Sequence, residues 1–261
     1  MTISILGCGW YGLALAKSLV VKGNVVKGST TSTDKLDLLA NEGIQPFLID
    51  LSDDSQPNPD FFKADILVIA IPPKSRSGRG AEYVPKLKKV VNAINISSIR
   101  KVILISSTGV YADLNQEVTE ETEPQPNTPG GEVLLEAEQL FKQQTSFKTT
   151  IMRFGGLIGP GRDPGRFFAG KKDIPNGMAP VNLIHLDDCI GITEAVITND
   201  NFGLLLNACS PQHPTKAEFY TKAAERSGLE LPAFLPELKE WKLVNSVVVG
   251  KLLNYNYKVN N

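Results

Sequence analysis

The sequence predicts an α/β fold, a doubly wound parallel sheet with helices on both faces, followed by a small C-terminal lobe. Three observations carry this. Short Val, Ile and Leu runs recur with helical patterns between them, a glycine-rich turn joins the first run to the first helix, and a Gly/Pro-dense stretch breaks the alternation after residue 154. Strands covered on both faces read as near-continuous apolar runs, and they are expected at residues 3–6, 25–29, 46–50, 66–71, 102–106 and 150–153. Crossovers between such strands are right-handed.

The first helix presents Leu13, Ala16, Leu19 and Val20 on one face, and Gly23 follows it as a stop. A second helix is expected from near Thr33 to Gly43, and a third over residues 81–95. The fourth opens with Thr128 as N-cap and Pro129 at the first helical position, and runs through Phe141. Residues 155–180 are dense in Gly and Pro and read as a long loop. Order is expected to return at 181–186, with a helix from Asp187 and a strand at 204–208. Thr215-Lys216-Ala217-Glu218 then reads as a capping box opening another helix.

A net charge of −1 over 261 residues supplies no field for nucleic acid or an anionic membrane. The longest apolar runs fall far short of the roughly 20 residues a membrane span needs. Met1-Thr2 leads straight into the first apolar run, so no signal peptide is expected and the cytoplasm is the expected compartment. Cys8, Cys189 and Cys209 share no metal-type spacing and read as small buried hydrophobes in a reducing compartment. No metal site is expected, and nothing fixes an oligomeric state.

The first strand leads into Gly7-Cys8-Gly9-Trp10-Tyr11-Gly12 and then a helix. This is G-x-G-x-x-G in the setting that gives it meaning. The first glycine permits a tight turn and the second lets a pyrophosphate approach the backbone. The third allows close helix–strand packing, while the helix N-terminus favours phosphate charge. The expected organisation is therefore a dinucleotide-binding Rossmann domain over residues 1–154, with a substrate or lid region over 155–261 partly interleaved with it. An NAD site usually ends its second strand on Asp or Glu. Here that region reads Lys27-Gly28-Ser29-Thr30-Thr31-Ser32-Thr33, without a carboxylate from Met1 to Thr33. Hydroxyls at Ser29, Thr30 and Thr31, with Lys27 or Lys35 nearby, would tolerate a 2′-phosphate, so NADP(H) is favoured over NAD(H). Asp50, ending the third strand, is a candidate for the adenine amino group.

The chain resembles the extended short-chain dehydrogenase/reductases of the NAD-dependent epimerase/dehydratase type, close to the atypical YeeZ-like group. The resemblance rests on the glycine turn, on Ala70-Ile71-Pro72-Pro73, on Ser106-Ser107-Thr108-Gly109-Val110-Tyr111, on Met152 to Arg162 and on Asn182 to Asp188. It implies cofactor contacts from Gly7, Gly9, Trp10, Tyr11, Gly12, Ala70, Ile71, Pro72, Pro73 and Ser106. It also implies a reactive centre of Ser/Thr, Tyr and Lys, in which a cation brings a phenol into working range. Ser107 and Thr108 fit the first role. The family's Tyr-x-x-x-Lys falls on Gly130 and Leu134, neither of which can transfer a proton.

Tyr111 is a candidate substitute acid, or a residue packing beside the cofactor. His185 and Glu132 are further candidates, against roles as a supporting residue and a helix-start carboxylate. Arg153, Arg162, Arg166, Lys171 and Lys172 around the Gly/Pro loop, with Lys74, Arg76 and Arg79 after the fourth strand, suit a phosphorylated, acidic or sugar-nucleotide-like small molecule. Two functions stay open: an NADP(H)-linked oxidoreductase or epimerase with an atypical site, and a non-catalytic NADP(H)-sensing protein.

Overall fold

Strand β1 (Thr2–Leu6) has neighbours on both sides because Ile3, Ile5 and Leu6 are apolar toward both faces and are fully buried. The computed structural model describes residues 1–52, 56–73 and 78–259. β1 pairs in parallel with β2 (Val25–Thr30) and with β4 (Ile66–Ile69), with Ile5 opposite Gly28 and Val68. β3 (Gln45–Leu48) extends one side, and β5 (Lys101–Ser107), β7 (Lys148–Phe154) and β10 (Leu205–Ala208) extend the other. The seven-stranded order is β10-β7-β5-β4-β1-β2-β3. The chain winds outward from β1, then restarts at β4 on its other side. That reversal is the switch point beside which open α/β sheets bind ligands, at the carboxyl ends of the strands.

The helices are α1 (Trp10–Val21), α2 (Leu36–Asn41), α3 (Tyr83–Asn95), α4 (Pro129–Lys142), α5 (Leu186–Thr198), α6 (Lys216–Arg226) and α7 (Val247–Leu253). Thr128 caps α4 as expected, its hydroxyl accepting from Gly131 N at 3.1 Å. The capping box at Thr215 and Glu218 opens α6, both reciprocal bonds being present. Other bounds move. β3 stops at Leu48, which leaves Asp50 in the turn that follows. β4 stops at Ile69, since the prolines at 72 and 73 cannot donate to a ladder. The second helix begins as a 3-10 turn over Thr33–Lys35 before α2.

The chain divides into two compact units. The first comprises Met1–Ser106, Pro126–Met152 and Thr193–Leu205; the second comprises Ser107–Gln125, Arg153–Ile192 and Leu206–Asn261. The segment carrying Ser107, Thr108 and Tyr111 thus groups with the C-terminal residues, whereas a division at 154 would have placed it in the first unit. In the first unit, α1 buries Leu15, Ala16 and Leu19, and Glu194 accepts from Ser18 at 2.7 Å and Lys22 at 2.6 Å.

In the second unit, the Gly/Pro-dense stretch is more ordered than a long loop. β8 (Gly156–Ile158) pairs in parallel with β9 (Leu183–His185), and β6 (Gln116–Val118) pairs with β11 (Lys242–Val244). Ile158, Val181, Leu183 and Phe219 form a core there. Gly165 lies so close to α6 that a Cβ would stand 2.6 Å from the Ala223 carbonyl oxygen. Glycine in this stretch therefore serves close backbone approach.

The C-terminal tail is tied to α5 by one carboxylate. Asp188, 1% exposed, accepts from the Tyr255 hydroxyl at 2.9 Å, Lys258 N at 2.7 Å and Val259 N at 3.3 Å. Asp188→Asn replaces an acceptor of three bonds with a group carrying its own donors. It is expected to cost about 1–3 kcal/mol and to expose the segment around Tyr255–Val259 to limited proteolysis. Unchanged unfolding temperature and tail protection would contradict this assignment.

Candidate functional site: a glycine-walled cleft in the first unit

The turn after β1 takes its shape from its three glycines. Gly7 has φ of +101°, and a Cβ there would meet Ile71 Cγ2 at 2.8 Å. A Cβ on Gly12 would lie 2.2 Å from the Gly7 carbonyl oxygen, so only glycine lets α1 begin this close to the turn. Gly9 differs: a Cβ there meets nothing within 4 Å, and the residue is exposed. Its glycine is not needed for packing against the protein; it serves as the N-cap of α1 and leaves the helix start open to the cleft.

Gly9 caps α1 without a side-chain bond, and the first turn of this 12-residue helix carries no acidic residue. The amides that open the helix keep their partial positive charge for an anion. Ser29, at the end of β2, holds the turn from the other side. Its hydroxyl accepts from Gly7 N at 2.9 Å, and its carbonyl accepts from Cys8 N at 2.8 Å.

This turn forms one wall of a cleft of about 430 Å³ lying within the first unit. Ser29 and Thr30 line it from the end of β2, Thr31 and Lys35 from the segment that follows, and Asp50, Leu51 and Ser52 line it after β3. Ile71, Pro72 and Pro73 contribute from beyond β4, and Arg79, Glu82 and Lys86 from the entry to α3. The shape and donors fit a dinucleotide: a helix start whose N-cap makes no side-chain bond, an open face at Gly9 and hydroxyls at the end of β2.

The charges around the cleft are mutually arranged. Ser52 N donates to the Asp50 carboxylate at 2.9 Å, and this bond above all holds Asp50 below the usual carboxylate range, with Lys86 and Arg79 adding to it. Glu82 is held down to about 2, first by its bond from Arg79 and then by Lys86. Burial pushes the Cys8 thiol up to about 12, so it stays protonated and is no nucleophile.

Several expected contacts lie elsewhere. The Tyr11 hydroxyl bonds Thr193 Oγ1 at 2.6 Å and is buried, and Trp10, Gly12 and Ala70 do not line the cleft. Lys27 does not line it either, because its ammonium donates to the carbonyls of Asp60 at 2.6 Å and Lys63 at 2.7 Å. Ser106 donates to the fully buried Glu138 at 2.7 Å. Lys74 and Arg76 lie outside the described residues.

Ser107, Thr108 and Tyr111 are placed within the second unit. The Ser107 hydroxyl is half-buried and accepts from Gly109 N at 3.1 Å, while Thr108 is buried. Tyr111 is 2% exposed. Its hydroxyl lies 2.9 Å from the Thr119 carbonyl, 3.1 Å from Asn207 Oδ1 and 2.5 Å from Arg153 Nη1, which donates to it. Burial raises its pKa, against the lowering effect of Arg153.

Arg153 itself is fully buried, with its guanidinium 4.9 Å from the Tyr111 ring centre, so it is no exposed cation awaiting a substrate. Of the other basic residues there, Arg166 lies 3.8 Å from Asp163, Lys172 lies 3.6 Å from Glu230, and Lys171 lies over Phe168. His185 Nδ1 accepts from Asp187 N at 3.2 Å, and Glu132 is exposed in the first turn of α4. Sequence reasoning missed the cleft cluster of Glu82 and Lys86. The i, i+3 and i+4 spacing of Arg79, Glu82 and Lys86 was its signal.

Fold and cleft together define a dinucleotide-binding protein of the Rossmann class. The match over residues 7–182 to the family described as NAD(P)H-binding places the chain in that family. It is 36% identical to Protein YeeZ of Escherichia coli strain K12, an alignment covering 98% of this chain and 95% of that protein. A UDP-glucuronic acid 4-epimerase from Bacillus cereus, solved with UDP-glucuronic acid and NAD, shares the fold at a TM-score of 0.83 and 19% identity, over 100% of this chain and 95% of that one. A functionally unknown conserved protein from Silicibacter pomeroyi superposes with a TM-score of 0.82 at 24% identity, over 100% and 94%. No helix among the described residues is long and apolar enough to cross a membrane.

Proposed function

We propose that this epimerase/dehydratase-type protein binds NADP(H) in preference to NAD(H), its phosphates resting on the Gly7–Gly12 turn. The observation that carries the reading is Gly9, whose missing side chain opens toward the cleft while Gly7 and Gly12 are walled in by protein. The 2′-phosphate would meet Thr30, Thr31 and Lys35. No ion pair among the described residues engages Lys35, and no carboxylate stands at the end of β2 to repel the phosphate. Ser29 takes a supporting part, since its hydroxyl already holds the turn.

Thr31→Asp is expected to weaken NADPH about tenfold or more and NADH less than about twofold, because the new carboxylate would stand beside the 2′-phosphate, which NADH lacks. Equal losses for both cofactors would remove Thr31 from the site.

A nicotinamide dinucleotide held in the cleft would supply hydride exchange; the resemblance gives Ser107 the role of polarising a carbonyl, and the substrate class proposed is phosphorylated, acidic or sugar-nucleotide-like. The phenol that normally moves the proton is absent at Gly130, and its cation at Leu134. Tyr111 does not replace it in this reading, because its hydroxyl is buried among Thr119, Asn207 and Arg153. These observations favour a second reading, a non-catalytic protein whose occupancy by NADP(H) is read by a partner. Turnover with NADPH and NADP⁺ over a panel of carbonyl compounds and sugar nucleotides separates the two. Hydride transfer at kcat of an ordinary enzyme, about 1 s⁻¹ or more, supports the enzyme. Tight binding without turnover supports the sensor.

A further inference from the structure

Arg79, Glu82 and Lys86 stand at the entry to α3, and all three line the cleft that contains the glycine turn. Arg79 donates Nε and Nη2 to the two oxygens of Glu82, at 3.0 and 2.8 Å. Lys86 reaches the same carboxylate at 2.7 Å. One carboxylate therefore engages two cations, while Asp50 lies near enough to feel the charge of both. The Arg79 side chain is 47% exposed, and ion pairs this open to water exchange partners readily. A guanidinium presents a planar fork of donors that matches phosphate as well as carboxylate.

Resting on the reading of this cleft as the nicotinamide site, we propose that Arg79 is a specificity-determining ligand that exchanges Glu82 for the 2′-phosphate of NADP(H). Glu82 then sets how strongly the cleft prefers the 2′-phosphorylated dinucleotide. It competes for the guanidinium, and it also repels a dianion through its own charge. Arg79 thereby leaves the set of substrate-facing cations and joins the cofactor wall. Lys35 lines the same cleft from a separate segment of chain and would be a second cation for that phosphate.

The test is calorimetric titration of the whole protein and of Arg79→Gln and Glu82→Gln with NADPH, NADH, 2′,5′-ADP and 5′-AMP. Thermal unfolding serves as the folding control. Arg79→Gln is expected to lose about tenfold for NADPH and 2′,5′-ADP and less than about twofold for NADH and 5′-AMP. Glu82→Gln is expected to gain about threefold for the 2′-phosphorylated pair alone, and raised salt should shrink both effects. Losses shared equally by all four ligands, or no change in either variant, would overturn the proposal. If the wild-type protein binds none of the four, the nicotinamide reading fails and takes this inference with it. If it binds NADPH and NADH alike and Arg79→Gln alters neither, that reading stands and the inference alone falls.

Discussion

Gly9→Val is expected to abolish dinucleotide binding, a loss of about 100-fold or more, while the protein stays folded. A Cβ at Gly9 meets no protein atom within 4 Å, and φ of −82° suits any residue. The structural cost is confined to a poorer helix cap, about 1 kcal/mol. In the cleft, the same isopropyl group occupies the approach that a pyrophosphate needs to reach the amides at the start of α1. Gly12→Ala is the contrasting control. Its Cβ would stand 2.2 Å from the Gly7 carbonyl oxygen, so it is expected to destabilise the fold by about 1–3 kcal/mol through overpacking. If Gly9→Val bound cofactor normally, the glycine turn would not be the phosphate site. If it unfolded the protein, the open space at Gly9 would not be real.

Tyr111→Phe carries the second large effect, and it falls on stability. The hydroxyl joins Arg153, Asn207 and the Thr119 carbonyl in the interior of the second unit, and Tyr111 N donates to the Thr108 carbonyl at 3.2 Å. Removing it withdraws an acceptor from a fully buried guanidinium and takes the single hydroxyl proton from its acceptor, the Thr119 carbonyl or Asn207 Oδ1. Such a loss costs about 1–3 kcal/mol. Tyr111 in this account anchors the 3-10 turn at Thr108–Val110 that follows Ser107. A proton donor would behave otherwise: Tyr111→Phe would keep its unfolding temperature and lose turnover by about 100-fold or more. Chemical denaturation alongside an activity assay distinguishes the two.

The sheet was legible because its signals are local. Apolar runs at β1, β4 and β5 are covered on both faces, and Thr128, Pro129 and the Thr215–Glu218 box mark helix starts by chemistry that acts within four residues. The Gly/Pro-dense stretch was misread as a long loop because its order comes from distant partners. β8 is a strand only through β9, and Gly165 has its purpose only against α6. The same limit governs the site. The glycine turn, Thr31, Lys35 and the prolines after β4 could be named from position in a Rossmann sheet. Lys27 could not be told from Lys35 by composition, since its direction depends on the carbonyls of Asp60 and Lys63 beyond β3. Arg153 read as a cation near the substrate because burial is not written in a side chain's charge. Its partner Tyr111 lies 42 residues away in sequence.

Titration of the purified protein with NADPH and NADH, followed by nicotinamide fluorescence, decides whether the glycine turn holds a dinucleotide. Saturable binding of both is expected, with NADPH about tenfold or more the tighter, as an added charge-assisted phosphate contact should make it. Absence of binding to either by a folded protein would contradict it.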